Sequence, residues 1–296
     1  MANTKSTSKT NANIAKRGEV TKTYHPVNVL AGFMDDQHFG GFAQEHLSEL
    51  TKAKQQALFK KVETARTNVS VLTPVNYSDV EIRPLKAENY KKIVNNKEFK
   101  DIFGRLPYRF VWIKPEKLVA LQVFVNSQQE DVPSSEKELV KYALPENWSI
   151  PSEISFIPPL GPISIVSSSP QLAGLEVKLN GKKGEVIIKP PTHINLIQIV
   201  QYGNRYYLRN GYHRTVGAIS AGCKELPALV VDATQPAEVE LANLGLAGFS
   251  VVHSAGLARP PLVSDFCGNG SIDIPMREKR YGASVSLQIS PINIGV

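Results

Sequence analysis

Cysteine is scarce in this sequence, which contains only Cys223 and Cys267. Two cysteines cannot build a disulfide framework, and they show neither a C-x-x-C pair nor the Cys/His spacing of a zinc site. We therefore expect two ordinary thiols, and no metal site is predicted.

Long apolar runs are also missing from the sequence. No segment approaches the roughly 18 uninterrupted apolar residues that a membrane span needs. The first residues lack the apolar core of a secretory signal. The sequence thus predicts no membrane partner and a cytoplasmic location.

Acidic residues are scarce in one region, residues 1–23, where five basic residues accompany Glu19 alone. The region is rich in Ser, Thr and Asn, which predicts a disordered basic tail. It carries +4 of the net charge of +7, which leaves 29 basic and 26 acidic residues in the body. A body so close to neutral does not predict a large DNA footprint, because each phosphate contact needs a cationic group.

The body of this 296-residue chain is long and apolar enough to bury a core. Residues 24–104 contain the helical patterns "EHLSELTKAKQQALFKKVETA" and "AENYKKIVNNKEFKDIFG", which predict a helical accessory segment. Residues 127–170 hold many prolines and serines and predict a loop-rich insertion. Residues 251–296 are predicted to form an irregular C-terminal extension.

Strand patterns alternate with helical ones elsewhere in the chain. "LEVKLNGKKGEVIIKPP" and "INLIQIVQYGNRYYLRNG" predict two β-hairpins, the second turning at Gly203-Asn204. "FVWI" and "ELPALVVDA" predict strands, while "HRTVGAISAGC" and "QPAEVELANLGLAG" predict helices. This order predicts an α+β fold with its core at residues 105–250.

The stretch "LRNGYHRTVGAISAG" combines features that suit an anion. Asn210-Gly211 tolerates positive φ angles, so a strand can turn sharply into a helix there. The first turn of that helix offers backbone amides and the positive end of the helix dipole. His213, Arg214 and Thr215 add further donors. The pattern predicts an anion site, with a solvent-facing arginine and a packed histidine as the alternative.

Residues 189–233, from "KPPTHINLIQIVQYGNRYY" to "LPALVVDA", resemble the latter half of a ParB/sulfiredoxin-like domain. In that superfamily two strands lead into a Gly-x-His-Arg or Gly-Glu-Arg-Arg box, followed by a helix and another strand. Residues 112–122, "WIKPEKLVALQ", are similar to its opening strand and helix. The positions that match are Pro191, Ile199, Tyr207, Gly211, His213, Arg214, Ala218, Pro227 and Val230. The resemblance implies a mixed sheet with Val230 buried and Gly211 between a strand and a helix.

Members of this superfamily bind nucleotide phosphates or nucleic acid at the box. The resemblance therefore implies ATP or CTP with Mg²⁺, or DNA, as the ligand. It assigns the phosphate-binding site to Asn210, Gly211, Tyr212, His213, Arg214, Thr215, Lys117 and Gln122.

The box departs from two branches of the superfamily. Tyr212 stands where sulfiredoxins carry a nucleophilic cysteine, so reduction of cysteine sulfinic acid is not expected. Tyr212-His213-Arg214 replaces the Glu-Arg-Arg of ParB partition proteins, and no helix-turn-helix pattern follows it.

The resemblance implies phosphate binding in a DNA-related setting, such as plasmid or mobile-element biology. One alternative is a nucleotide-dependent enzyme, a kinase, NTPase or nuclease, that uses the same box. Another is a catalytically inactive protein-interaction module. Because the sequence does not identify a carboxylate base, it leaves open whether the protein is an enzyme.

Three further stretches contain chemically suggestive side chains. "YGNRYYLRNGYHR" mixes tyrosine and arginine like a single-strand binding surface, but a hairpin with one buried and one solvated face is favoured. "MDDQHFGGFAQEH" lacks metal-ligand spacing, and Gly40-Gly41 predicts a flexible turn. "GLARPPLVSDFCGNGSIDIPMREKR" includes Arg259 and Asp265 and predicts a functional lid or a surface extension.

Overall fold

The computed structural model of the protein describes residues 24–77, 80–126, 131–148, 153–156, 163–167, 176–180, 185–189, 194–239, 248–277 and 281–285. The helices in these ranges are α1 (Asp36–His46), α2 (Lys52–Ser70), α3 (Lys91–Asn95), α4 (Lys97–Phe103), α5 (Glu136–Ala143), α6 (Tyr212–Ser220), α7 (Pro236–Val239) and α8 (Val251–Gly256). Short 3-10 helices are Ala31–Phe33, Ala87–Asn89, Pro115–Lys117 and Val263–Cys267. The strands are β1 (Tyr24–Val29), β2 (Ile82–Pro84), β3 (Tyr108–Ile113), β4 (Val119–Ala120), β5 (Phe124–Asn126), β6 (Glu153–Phe156), β7 (Ile163–Ser167), β8 (Glu176–Asn180), β9 (Glu185–Lys189), β10 (Gln198–Tyr202), β11 (Arg205–Asn210), β12 (Leu226–Ala233), β13 (Ile272–Arg277) and β14 (Tyr281–Val285).

The largest sheet has the strand order β2-β3-β12-β10-β11-β4. It is mixed, because β12 runs parallel to β10 and antiparallel to β3, while β11 runs antiparallel to β10 and parallel to β4. Residues 226–231 of β12 are all buried, as expected for a central strand that is covered on both faces. The predicted α+β class, the mixed sheet and the burial of Val230 are confirmed.

The two faces of this sheet belong to different hydrophobic cores. Leu208 of β11 lies in the larger core, together with buried residues of α5 and α6. Tyr207, its neighbour, lies in a smaller core with Tyr77 and with Val251 of α8. Because successive side chains of a strand point to opposite faces, β11 contributes to both cores.

A second sheet joins distant parts of the chain in the order β13-β1-β5. Val27 and Val29 of β1 pair with Ile274 and Ile272 of β13, and all four are buried in a core with residues of α1 and α2. Residues 24–104, predicted to be helical, therefore also contain β1, and they contain β2 at the edge of the main sheet. Two smaller sheets have the orders β14-β7-β6 and β8-β9.

Helix α1 runs through Gly40-Gly41, so the flexible turn predicted there is wrong. Asp35 caps the helix, since its carboxylate accepts a hydrogen bond from the His38 amide at 2.7 Å. Phe39 and Phe42 are buried on the face that meets the core. Capping and burial offset the helix propensity lost at the two glycines, about 1 kcal/mol each.

Residues 127–170, predicted to be a loop-rich insertion, contain regular structure in their described parts. Ser135 caps α5 by accepting a hydrogen bond from the Glu138 amide, and Leu139, Val140 and Ala143 bury the helix against the main sheet. Strands β6 and β7 follow.

Several predicted features lie outside the described residues. They are the basic tail at residues 1–23, the turn at 181–184 of the first predicted hairpin, residues 240–247 of the last predicted helix and residues 286–296 of the C-terminal extension.

The segment after α8 is bonded to the main sheet. The amide of Val263 donates to the Leu118 carbonyl at 2.8 Å, and the amide of Ala120 donates to the Pro261 carbonyl at 2.9 Å. Arg259 forms two hydrogen bonds to the carboxylate of Asp265, at 2.5 and 2.9 Å. Both side chains are largely buried, so this ion pair fixes the turn that leads to β13.

Replacing Asp265 with Ala should destabilise the protein by about 3 kcal/mol or more, because the Arg259 guanidinium would be left buried without its counter-charge. The free energy of unfolding from urea titrations measures this change. The control is Glu146→Ala, which breaks the exposed pair with Lys92 and should shift the urea midpoint little. Equal midpoints for the two variants would contradict a structural role for the Arg259–Asp265 pair.

Candidate functional site

The chain turns from β11 into α6 at Gly211, which has φ 89° and ψ 26°. Asn210 supports the turn: its side-chain oxygen accepts a hydrogen bond from the Gly211 amide at 2.8 Å, and its side-chain nitrogen donates to the Ile194 carbonyl at 3.1 Å. A Cβ atom on residue 211 would lie only 2.9 Å from Cγ1 of Ile197. Both the left-handed backbone and the close packing therefore require glycine here. The predicted strand-to-helix turn at Gly211 is confirmed.

Tyr212 is buried in the core, so the structure places its side chain away from any ligand at the surface. Its hydroxyl accepts hydrogen bonds from the amides of Leu121 at 2.7 Å and Gln122 at 3.1 Å, and it donates to the Leu208 carbonyl at 2.6 Å. Burial raises the pKa of this phenol, which keeps it protonated as a donor. Tyr212 thus joins the β4–β5 connection to β11, a role that the sequence pattern did not indicate.

Thr215 is also fully buried. Its hydroxyl donates to the Gly211 carbonyl at 2.9 Å, and so does its backbone amide. The side chain therefore stabilises the first turn of α6 from inside, and its hydroxyl is not presented to a surface ligand.

Arg214 joins α6 to α5. Its guanidinium donates to the carbonyls of Tyr142 and Ala143 at 2.9 and 3.2 Å and to the side-chain oxygen of Asn195 at 2.7 Å. The Tyr142 hydroxyl donates back to the Arg214 carbonyl at 3.2 Å. A cation at the C-terminal end of α5 is favourable because the helix carbonyls carry partial negative charge there.

His213 is exposed in the first turn of α6. Lys117 lies in the 3-10 helix that packs against α6, and its ammonium donates to the Asn76 carbonyl at 3.0 Å. The backbone amide of Gln122 donates to the Tyr212 hydroxyl, which connects this residue to the box. The Gln122 side chain donates to the Phe124 carbonyl at 2.6 Å. The structure thus brings the predicted residues to one region, where His213 is exposed and Tyr212 and Thr215 are internal.

The other arginines of the Tyr/Arg stretch also bind carbonyls at helix ends. Arg205 donates to the carbonyls of Ser254 and Leu257, at the C-terminal end of α8. Arg209 donates to the Glu238 carbonyl of α7 at 3.3 Å. The predicted division into a buried and a solvated face does not describe this hairpin, because β11 lies inside the sheet and both of its faces are covered.

Comparisons with family models, with curated proteins and with solved structures found no match for this chain. Within the described ranges, no helix is long and apolar enough to cross a membrane. In the same part of the chain, no group of three His, Cys, Asp or Glu side chains is placed to hold a metal ion.

Replacing Gly211 with Ala should cost about 1–3 kcal/mol, because the new Cβ would force both a strained backbone and a shift of Ile197. Chemical unfolding measures the loss. Gly40→Ala is the matched control: apart from the adjoining residues of α1 itself, no atom lies within 4 Å of that Cβ position, so this variant should gain about 0.5–1 kcal/mol. A Gly211→Ala protein as stable as wild type would contradict the described turn.

Replacing Tyr212 with Phe should destabilise the protein by about 1–3 kcal/mol for each backbone amide that loses its acceptor. The same unfolding measurement applies. Tyr108→Phe removes the hydroxyl of an exposed tyrosine and should leave stability nearly unchanged. If both variants unfold at the same urea concentration, the three bonds of the Tyr212 hydroxyl contribute no net stability.

Proposed function

We propose that the corner at Gly211 binds a phosphate group, of a nucleotide or of nucleic acid, as the ParB/sulfiredoxin-like resemblance implies. The supporting observation is that exposed His213 lies in the first turn of α6, two residues after the left-handed Gly211. Helix N-termini attract phosphate through their amides and their dipole. An exposed imidazole in that turn adds a donor at the mouth of the site.

In this proposal the side chains of the box divide into two groups. The first-turn amides of α6 and the His213 imidazole contact the phosphate. Asn210, Gly211, Tyr212 and Thr215 shape the corner through the bonds described above. Arg214 contributes positive charge near the turn while its guanidinium holds α5, since its Nη2 lies 3.4 Å from the position of a Cβ on residue 211.

A nucleotide is the ligand that the charge distribution favours. The tail at residues 1–23 carries +4 of the net charge of +7, and the rest of the chain is nearly neutral. DNA binding draws its affinity mainly from cations that meet successive phosphates. A single corner with two cationic or donor side chains suits one nucleotide, ATP or CTP with Mg²⁺, better than a duplex.

Replacing His213 with Ala should weaken nucleotide binding roughly tenfold or more, because one hydrogen bond to a charged phosphate is lost. Isothermal titration with ATP and with CTP in the presence of Mg²⁺ measures the affinity. His253→Ala, which removes another exposed histidine on α8, should bind like wild type. Equal affinities of wild type and His213→Ala for every nucleotide that binds would refute this site.

Arg214→Ala is less informative on its own, since it also removes the bonds to α5. Its stability has to be measured beside its affinity.

Double-stranded and single-stranded DNA, titrated at two salt concentrations, test the nucleic-acid form of the proposal. A full-length variant in which the five basic residues of the tail are changed to Gln separates the two sources of charge. Nucleotide affinity should not change in this variant, whereas DNA affinity that depends on the tail should fall and lose salt dependence. Release of inorganic phosphate, followed in the same samples, reports whether the bound nucleotide is hydrolysed.

A further inference from the structure

Three buried hydroxyl groups around the smaller core donate to no acceptor among the described residues: those of Tyr77, Tyr207 and Ser254. The Tyr207 hydroxyl is contacted by the Arg205 side chain. The three residues are 7%, 0% and 1% exposed. Buried polar atoms in folded proteins are nearly always paired, and those without a protein partner commonly meet a bound water or ion. Three such groups in one region therefore call for an occupant.

Arg205 brings the three residues together. Its guanidinium carbon lies 4.9 Å from the centre of the Tyr77 ring, and its Nη1 donates to the Ser254 carbonyl. It lies two positions before Tyr207 on β11, so both side chains are on the same face of the strand. The positive charge of Arg205 also opposes the rise in the pKa of Tyr207 that burial causes.

Arg205 is the charged side chain of the cluster. Arg205 has no carboxylate in ion-pair contact among the described residues, whereas the neighbouring Arg259 is paired with Asp265. All three charges are near enough to affect the pKa of Tyr77, which burial raises to about 12. The phenols are therefore neutral donors at physiological pH, and the described residues supply no carboxylate to Arg205.

We propose that Arg205, Tyr77, Tyr207 and Ser254 form a buried site for a small inorganic anion. Such an anion accepts hydrogen bonds from the three hydroxyls and balances the charge of Arg205. A water molecule would satisfy hydroxyls but would bring no negative charge to Arg205, for which the described residues supply no carboxylate. The site lies on the opposite face of β11 from the core that holds α6, and the proposal does not depend on phosphate binding at Gly211.

The test uses the full-length protein in sodium bromide or sodium chloride against sodium gluconate at equal ionic strength. A ligand that binds only the folded state raises the folding equilibrium constant, about a hundredfold when its concentration is 100 times its Kd. Wild type should therefore unfold at a higher temperature in the halides. Anomalous scattering from crystals soaked in bromide should show a peak beside Arg205.

Tyr207→Phe should bind bromide about tenfold more weakly or worse, and should lose the stabilisation by halides. Tyr206→Phe is the matched control, because the adjacent side chain packs on the other face of β11 and its variant should respond to halides like wild type. Ser254→Ala provides a second, smaller change that should reduce the halide effect in the same direction.

Two outcomes would overturn the proposal. Equal destabilisation of Tyr207→Phe in every salt, with no bromide peak, would mean that water occupies the cluster. Higher stability of Tyr207→Phe than wild type in every salt would mean that the cluster is empty, because the variant would remove an unmet buried hydroxyl. These two outcomes do not depend on whether His213→Ala loses nucleotide binding, so the anion site and the phosphate site at Gly211 are tested separately.

Discussion

The Tyr212 hydroxyl holds together the two sheets on which the rest of the structure depends. Residues 119–126 leave the main sheet at β4 and enter the second sheet at β5, and the amides of Leu121 and Gln122 between them have Tyr212 as their acceptor. Strand β5 aligns β1, and β1 aligns β13. One phenol on α6 thus sets the position of the connection from which the second core is built, and burial of the Leu121 amide makes its acceptor hard to replace.

Local signals were enough to predict the centre of the fold. Asn210-Gly211, Gly203 and the apolar run "ALVV" act through the backbone angles or burial of a few adjacent residues, and the structure has the turn, the hairpin and the buried strand. The pairing of β1 with β13 joins opposite ends of the described chain, and no short-range pattern encodes it. The sequence did not predict helix α1, because the low helix propensity of Gly40 and Gly41 is visible in the local sequence. The burial of Phe39 and Phe42, which offsets that loss, depends on tertiary packing.

The candidate site shows the same division. The glycine and the helix start could be predicted, because each follows from the chain's own conformation. The roles of Tyr212, Arg214 and Thr215 could not, because they depend on acceptors or donors contributed elsewhere: the carbonyls of α5 for Arg214 and the amides of residues 121 and 122 for Tyr212. An arginine next to a helix start has the same sequence pattern whether it meets a phosphate or a neighbouring helix end.

The three arginines from β11 to α6 explain why the hairpin is so polar for a strand pair covered on both faces. Arg205, Arg209 and Arg214 each bind a carbonyl at the end of a different helix, so each positive charge meets the negative end of a helix dipole. Dipoles carry only partial charge, and a full guanidinium is not neutralised by them. On the Arg205 face of β11, the described residues supply no carboxylate to that guanidinium, whereas the nearby Arg259 is paired with Asp265. Alternation along β11 places Arg205 and Tyr207 on one face of the strand and Tyr206 on the other, so neighbouring residues of one strand serve different cores.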